Sequence, residues 1–276
     1  MPLVRPPVVA GSFYPADPGE LRAQVDAFLA GAAGRRSAEP GGDEGTDPPP
    51  LRPKALVAPH AGYVYSGPVA ASAYALLPPL AKCVRRVVLL GPSHFVGFRG
   101  LALPAFDAFS TPLGEIGCDL EAMAVAAALG PVRVFDRAHD REHSLEVHLP
   151  FLQRVLKRFL LVPLAVGGAE TEEVAEVLDA LWGGEETLVV VSSDLSHYLP
   201  YATAVSMDAD TCRAIESLDG RAIEDEQACG VRPLRGLLAA ARRRRLVATT
   251  LDLRNSGDTA GDRSRVVGYG AWAFAG

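Results

Sequence analysis

No stretch of this chain approaches the roughly 18–20 consecutive apolar residues that a helix needs to cross a bilayer. The opening residues, Met1 to Gly11, contain two adjacent prolines and no apolar core of signal-peptide length. These absences set the expectation of a soluble, cytoplasmic protein without a membrane partner. Cysteine is scarce and scattered: Cys83, Cys118, Cys212 and Cys229 form no C-x-x-C pair. That argues against a zinc site built from cysteines and leaves the four as reduced, mostly small core residues. Positive charge is in deficit as well. The net charge of -6 argues against a nucleic-acid partner, which is held largely by phosphate neutralisation. The single basic run, Arg242 to Arg245, falls at the expected end of an Ala- and Leu-rich helix, where it complements the helix dipole and stays solvated.

What is present suits a large buried core. Hydrophobic residues make up 49% of the 276, enough to form a core without disulfides. The chain reads as one α/β domain, 1–276. Residues Gly31 to Pro53 are rich in Gly, Pro and charge, and predict a mobile surface loop after a short N-terminal arm and a helix over Leu21–Ala30. Beyond it, strands are expected at Ala55–Ala58, Arg86–Leu90, Val132–Phe135, Leu160–Val166, Thr187–Ser192, Leu246–Leu253 and Val266–Ala273. Helices are expected at Val69–Leu77, Leu120–Leu129, Leu145–Phe159, Glu172–Leu181, Ala202–Leu218 and Leu234–Arg243. The alternation predicts a layered α/β sandwich around a central sheet. Phe98 to Gly117, with Thr111-Pro112-Leu113-Gly114, reads as extra strands or a hairpin, so the sheet is expected to be mixed.

The histidines carry the strongest chemical signal. Of six, three follow directly on expected strands: His60 in Pro59-His60-Ala61-Gly62-Tyr63, His94 in Gly91-Pro92-Ser93-His94, and His197 in Ser192-Ser193-Asp194-Leu195-Ser196-His197. Ligands of open α/β sheets collect at the carboxyl ends of strands, so these loops can share one crevice. Flanking Pro and Gly residues restrain the backbone, as metal coordination demands. Any one of the three alone reads better as a hydrogen-bonding loop residue; three together favour a metal site.

Two further segments remain open on spacing alone. In Arg141-Glu142-His143-Ser144-Leu145-Glu146-Val147-His148, a helix would place His139, His143 and Glu146 on one face. The pattern is not H-E-x-x-H. It is read either as a source of pocket side chains, or as a helix start whose acids favour the dipole. His148 reads as a core residue. In Asn255-Ser256-Gly257-Asp258-Thr259, Asp258 is either part of a tight turn or a carboxylate brought to the histidines, completing a two-His, one-carboxylate site.

Taken in order, Gly11-Ser12-Phe13-Tyr14-Pro15, the segment Pro59 to Gly67, Gly91-Pro92-Ser93-His94, Glu142-His143-Ser144-Leu145-Glu146, Ser192 to His197, Asn255-Ser256-Gly257-Asp258 and Val267-Gly268-Tyr269 resemble the Memo-like family. The resemblance runs from about Arg5 to the C-terminus. Bacterial members are known as the B protein of the AmmeMemoRadiSam system, and the chain is similar to these. The resemblance implies a fold like that of class III extradiol dioxygenases. It also implies metal ligands at His60 and His94, with Asp194 and His197 lining the same pocket. In the animal relative the third ligand is a cysteine, placed in the C-terminal segment. Asp258 is its nearest replacement there, while Cys229, in Ala228-Cys229-Gly230, reads as structural. A carboxylate in place of a thiolate favours Fe(II) over Cu(I).

The expectation is therefore an iron-dependent oxidoreductase, with copper or zinc as alternative metals, held by His60, His94 and Asp258. His197 is the general acid/base and Asp194 orients its ring. His143 and Glu146 complete the pocket wall, and Tyr63 and Tyr65 contact an aromatic substrate. The rival expectation is a non-catalytic module that binds peptides, since animal relatives are described as adaptors engaging phosphotyrosine peptides. The family's system also links the chain to a radical enzyme. A hydrolase is disfavoured by the lack of a G-x-S-x-G elbow.

Overall fold

The structure, a computed structural model, describes residues 2–38 and 51–276. Its strands are β1 (Val4–Arg5), β2 (Ala55–Ala58), β3 (Arg86–Pro92), β4 (Leu101–Leu103), β5 (Ala108–Thr111), β6 (Gly114–Gly117), β7 (Val132–Val134), β8 (Leu160–Val166), β9 (Thr187–Ser192), β10 (His197–Leu199), β11 (Val247–Asn255) and β12 (Val266–Ala275). The helices are α1 (Pro18–Ala38), α2 (Tyr63–Tyr74), α3 (Leu120–Ala127), α4 (Leu149–Val155), α5 (Thr171–Leu181), α6 (Tyr201–Glu216), α7 (Val231–Arg243) and the single turn α8 (Ser256–Thr259).

One large mixed sheet runs in the order β10-β12-β2-β9-β3-β8-β4-β7, with β11 also paired to β12. Its centre is four parallel strands, β2, β9, β3 and β8. Their sequences, ALVA, TLVVVS, RVVLLGP and LLVPLAV, are nearly continuous apolar runs and are buried almost throughout. Consecutive residues of a strand face opposite sides, so unbroken burial means that helices cover both faces. On one group of contacts α2 packs against β12, β11 and β2, with α1 and α4 beside it; in another, α7 lies on β3 and β9, with α5 on α7 and α3 on α5. Antiparallel β12 and β4 flank the parallel centre. The Thr111–Gly114 turn closes the β5–β6 hairpin, which joins β1 in a small separate sheet.

Register decides what this sheet can do. Ala58 lies opposite Ser192 across β2 and β9, and Leu90 opposite Val191 across β9 and β3. Three adjacent parallel strands therefore finish at one level, and their next residues emerge together.

Three expected elements differ. The helix expected at Val69–Leu77 starts six residues earlier, at Tyr63, and ends at Tyr74. Helix α1 continues to Ala38, into the stretch read as a mobile loop, and residues 39–50 of that stretch lie outside the described residues. The helix expected from Leu145 begins only at Leu149, after a 3₁₀ turn at Glu146–His148, and ends at Val155. The Arg242–Arg245 run does close α7. Arg243 and Arg244 pair with Asp179, and Arg244 stacks 4.1 Å from the Trp182 ring centre.

Candidate metal centre

His60 lies two residues past β2, and His94 two residues past β3. The strand between them, β9, ends in Ser192, whose Oγ donates to the carbonyl of Ser144 at 2.7 Å. With its one proton committed, that hydroxyl can only accept from His60 Nδ1, 2.5 Å away. His60 is thereby assigned the Nδ1–H tautomer, with its Nε2 lone pair turned toward the Cys229 sulfur. Glu142 does the same for His94. Its Oε1 faces His94 Nδ1 at 2.9 Å, its Oε2 accepts from His94 N at 2.6 Å, and a carboxylate only accepts. The two rings stand 5.1 Å apart at 73°. Two imidazoles, each oriented through Nδ1, are the arrangement that metal-binding histidines adopt.

The third donor is Cys229. Its sulfur is 3.3 Å from His60 Nε2 and accepts from Asp194 N at 3.2 Å. Donor atoms of His60, His94 and Cys229 all fall within 4.8 Å of one another. The loop before α7 comes this close only because position 230 is glycine. A Cβ there would stand 2.4 Å from Ser192 O and 2.7 Å from Ser193 Cβ, both in the strand-end segment beneath His60. Gly91 serves the opposite wall, where a Cβ would meet Ser144 Oγ at 2.7 Å.

The electrostatics suit a site that can receive a cation, with lowered imidazoles beside an ionised carboxylate. Burial, and then the neighbouring His94, His143, His148 and His197, hold His60 well below the usual imidazole range. Burial likewise lowers His143 and His197. Burial alone would raise Glu142, but hydrogen bonds and charge from His94 dominate and hold its carboxyl at about 2. Burial pushes Asp194 up to about 7, against the hydrogen bond it accepts from His60 N. The Cys229 thiol is pushed far up by burial, so it ionises there only under the charge of a bound cation.

Several expected site residues take other places. Asp258 is exposed; it caps α8 by accepting from Asn255 N at 3.2 Å and bonds Tyr201 Oη at 2.8 Å. Among the described residues it belongs to no group of candidate metal donors, whereas Cys229 groups with His60 and His94. The physical reason is the local capping box, which uses the Asp258 carboxylate within its own turn. Glu146 is fully buried and holds the N-terminal arm, accepting from Arg5 Nη1, Val8 N, Val9 N and Tyr14 Oη. It does not line a pocket wall, because residues 139–145 form bends rather than the helix that would have aligned it with His143. Tyr63 faces inward from α2, donates to Val147 O at 2.7 Å and packs on Tyr14 and Phe151, so it is core; Tyr65, two residues on, is exposed. Asp194 bonds the His60 backbone at 2.7 Å and not the His197 ring.

His143 does join the cluster, its ring stacked 4.9 Å from His94 and 5.6 Å from His60. His139 and His148 lie in the interior, bonded to Ala102 O and Tyr74 Oη. Sequence reasoning missed Cys229, Ser192 and Glu142 as members of the site. It also missed Phe13, 4.8 Å from His143, and the exposed Phe95 and Tyr198 beside His143 and His197. The legible signal for Cys229 was a cysteine placed just before a glycine and a helix start. Tyr198 has a left-handed backbone (φ 57°), a conformation that bulky residues adopt chiefly where function or surrounding structure imposes it.

Residues 5–273 match the family model described as Memo-like protein. The chain is 36% identical to a MEMO1 family protein of Sulfolobus acidocaldarius, over 97% of this chain and 98% of that one. It is 35% identical to a MEMO1 family protein of Aquifex aeolicus, over 96% and 97%. Among solved structures, an uncharacterised Escherichia coli K12 protein aligns with a TM-score of 0.48 at 15% identity, covering 78% of this chain and 98% of that one.

Proposed function

The chain belongs to the Memo-like family, and from that premise we propose that it is a transition-metal-dependent oxidoreductase, with the ion held by His60, His94 and Cys229. The observation that carries this reading is the convergence of two imidazoles, each oriented through Nδ1 just past the carboxyl ends of β2 and β3, on one sulfur from the loop before α7. The donor set is softer than two imidazoles and a carboxylate. It accommodates Fe(II), Cu(I) or Zn(II), and iron is proposed first because the reaction class is oxidative. When bound, the ion supplies Lewis-acid and redox chemistry toward O2 and a coordinating substrate.

The chain's own residues prepare that chemistry. Ser192 and Glu142 fix the two imidazoles, and Asp194 fixes the backbone of His60. His197, kept neutral by burial, is placed to accept a proton from a substrate hydroxyl, and His143 walls the site beside His94. Exposed Tyr65, Phe95 and Tyr198 offer flat apolar contact to an aromatic substrate. The same exposed aromatics favour a second reading, a peptide-binding module with no turnover and a place beside the radical enzyme of its system. Metal analysis of protein purified without oxygen separates them. The parent is expected to hold about one ion per chain and a His60→Ala/His94→Ala double variant none. A parent that takes up no Fe(II), Cu or Zn on reconstitution, yet binds peptide, sinks the oxidoreductase and leaves the module.

A further inference from the structure

We infer that Arg5, on the N-terminal arm, is a positioning residue for the His94 side of the metal centre, acting through Glu142. The inference rests on the proposed metal site for its purpose but on separate contacts for its geometry. Arg5 is 2% exposed, and besides a long bond from Nη1 to Pro6 O at 3.5 Å its guanidinium makes three short bonds to the segment 139–146. Nε donates to His139 O at 2.8 Å, Nη2 to Glu142 O at 2.6 Å, and Nη1 to Glu146 Oε2 at 2.8 Å.

That segment has no regular secondary structure between its two 3₁₀ turns, so its own backbone ladder does not hold it. Yet it carries Glu142, whose carboxylate accepts from His94 N, His143 N and Ser144 N and faces His94 Nδ1. One side of Glu142 is gripped by Arg5 through the main chain, and the other side orients a metal ligand. Glu146 completes the clamp, because its remaining bonds come from Val8 N, Val9 N and Tyr14 Oη of the same arm. A planar fork with donors pointing three ways does this; a lysine ammonium presents a single point from which the three acceptors cannot be reached together.

The test reads His94 directly. In a two-bond 1H–15N spectrum of metal-free protein, His94, assigned with a His94→Gln variant, is expected as the pure Nδ1–H tautomer. Arg5→Lys is expected to convert it to a mixture of tautomers and to weaken Co(II) or Zn(II) binding by roughly 10–100-fold, the cost of losing an outer partner of a metal ligand. Val25→Ala, a core truncation on α1 away from the clamp, is expected to lower thermal stability and leave both readouts at parent values. Should Arg5→Lys not fold, Arg5→Met/Glu146→Gln removes both charges together and still withdraws the guanidinium. A folded Arg5 variant that keeps the pure tautomer and parent affinity overturns the inference. If the parent binds no metal at all, the metal-site reading fails, while the tautomer spectra still decide the role of Arg5.

Discussion

On the proposed metal site, replacing Cys229 by alanine removes the one sulfur that groups with His60 and His94 among the described residues and leaves two imidazoles for the ion. The expected loss of Zn(II) or Cu(I) affinity exceeds the roughly 10–100-fold that loss of an outer partner costs. Asp258→Asn, by contrast, is expected to leave metal affinity at the parent value, since that carboxylate serves the α8 cap and Tyr201. Competition titration of the two variants checks both; a collapse in Asp258→Asn with retention in Cys229→Ala would restore the carboxylate as ligand. At this scale the strand-end histidines were legible, because a loop start at a strand's carboxyl end has few structural uses for an imidazole. Which carboxylate or thiol completes the set was not. Asp258 and Cys229 are far from His60 in the chain, and local spacing says nothing of the distance between loops.

Elements position these residues through close backbone approach. The α7 start reaches the β9 end only over Gly230, so Gly230→Ala forces the loop away from Ser192 O and Ser193 Cβ. The expected cost is about 1–3 kcal/mol, typical of overpacking, with the weakened metal binding of a displaced Cys229 in addition. Thermal melts with and without Zn(II) measure both parts; equal stabilisation of parent and variant by the metal would mean that the loop does not carry a ligand. The central strands were read to within two residues, because long apolar β-branched runs have no other use in a soluble sheet. The helix expected from Leu145 starts only at Leu149, and the helix that would align His139, His143 and Glu146 does not form. The histidines and acids of this segment satisfy helical spacing, but bonds to Arg5, Val8 and Val9 from distant sequence hold it open.

Across the whole molecule, the buried imidazoles set the response to acid. Burial lowers His139 to about 4 and His148 to about 3, below the unfolded value of 6.5, so the unfolded chain binds the extra protons. Stability must then fall as pH drops below about 6.5, by about 2 kcal/mol for each of these histidines at pH 5. His60 acts in the same direction. Asp194, raised by burial to about 7, has the opposite sign, because the native state holds its proton; moving from pH 7 to pH 5 it returns about 2 kcal/mol. Five lowered imidazoles, His143 and His197 included, outweigh the two raised carboxyls, Asp194 and Asp208. Metal-free protein is expected to unfold at lower urea at pH 5 than at pH 7, and His139→Gln to flatten that difference. A midpoint equal at the two pH values would contradict the assigned burial. No described helix is long and apolar enough to cross a membrane.

The sequence by itself determined the layered α/β class, the strands of the parallel centre and the two histidines at their ends, because apolar periodicity and strand-end placement are local properties. Only the tertiary structure decided which sulfur lies beside the two histidines, the orientation of the imidazoles by Ser192 and Glu142, and the burial of Glu146 by the N-terminal arm. Those depend on strand order and register, and on loops brought within a few ångströms by packing, which no local pattern encodes.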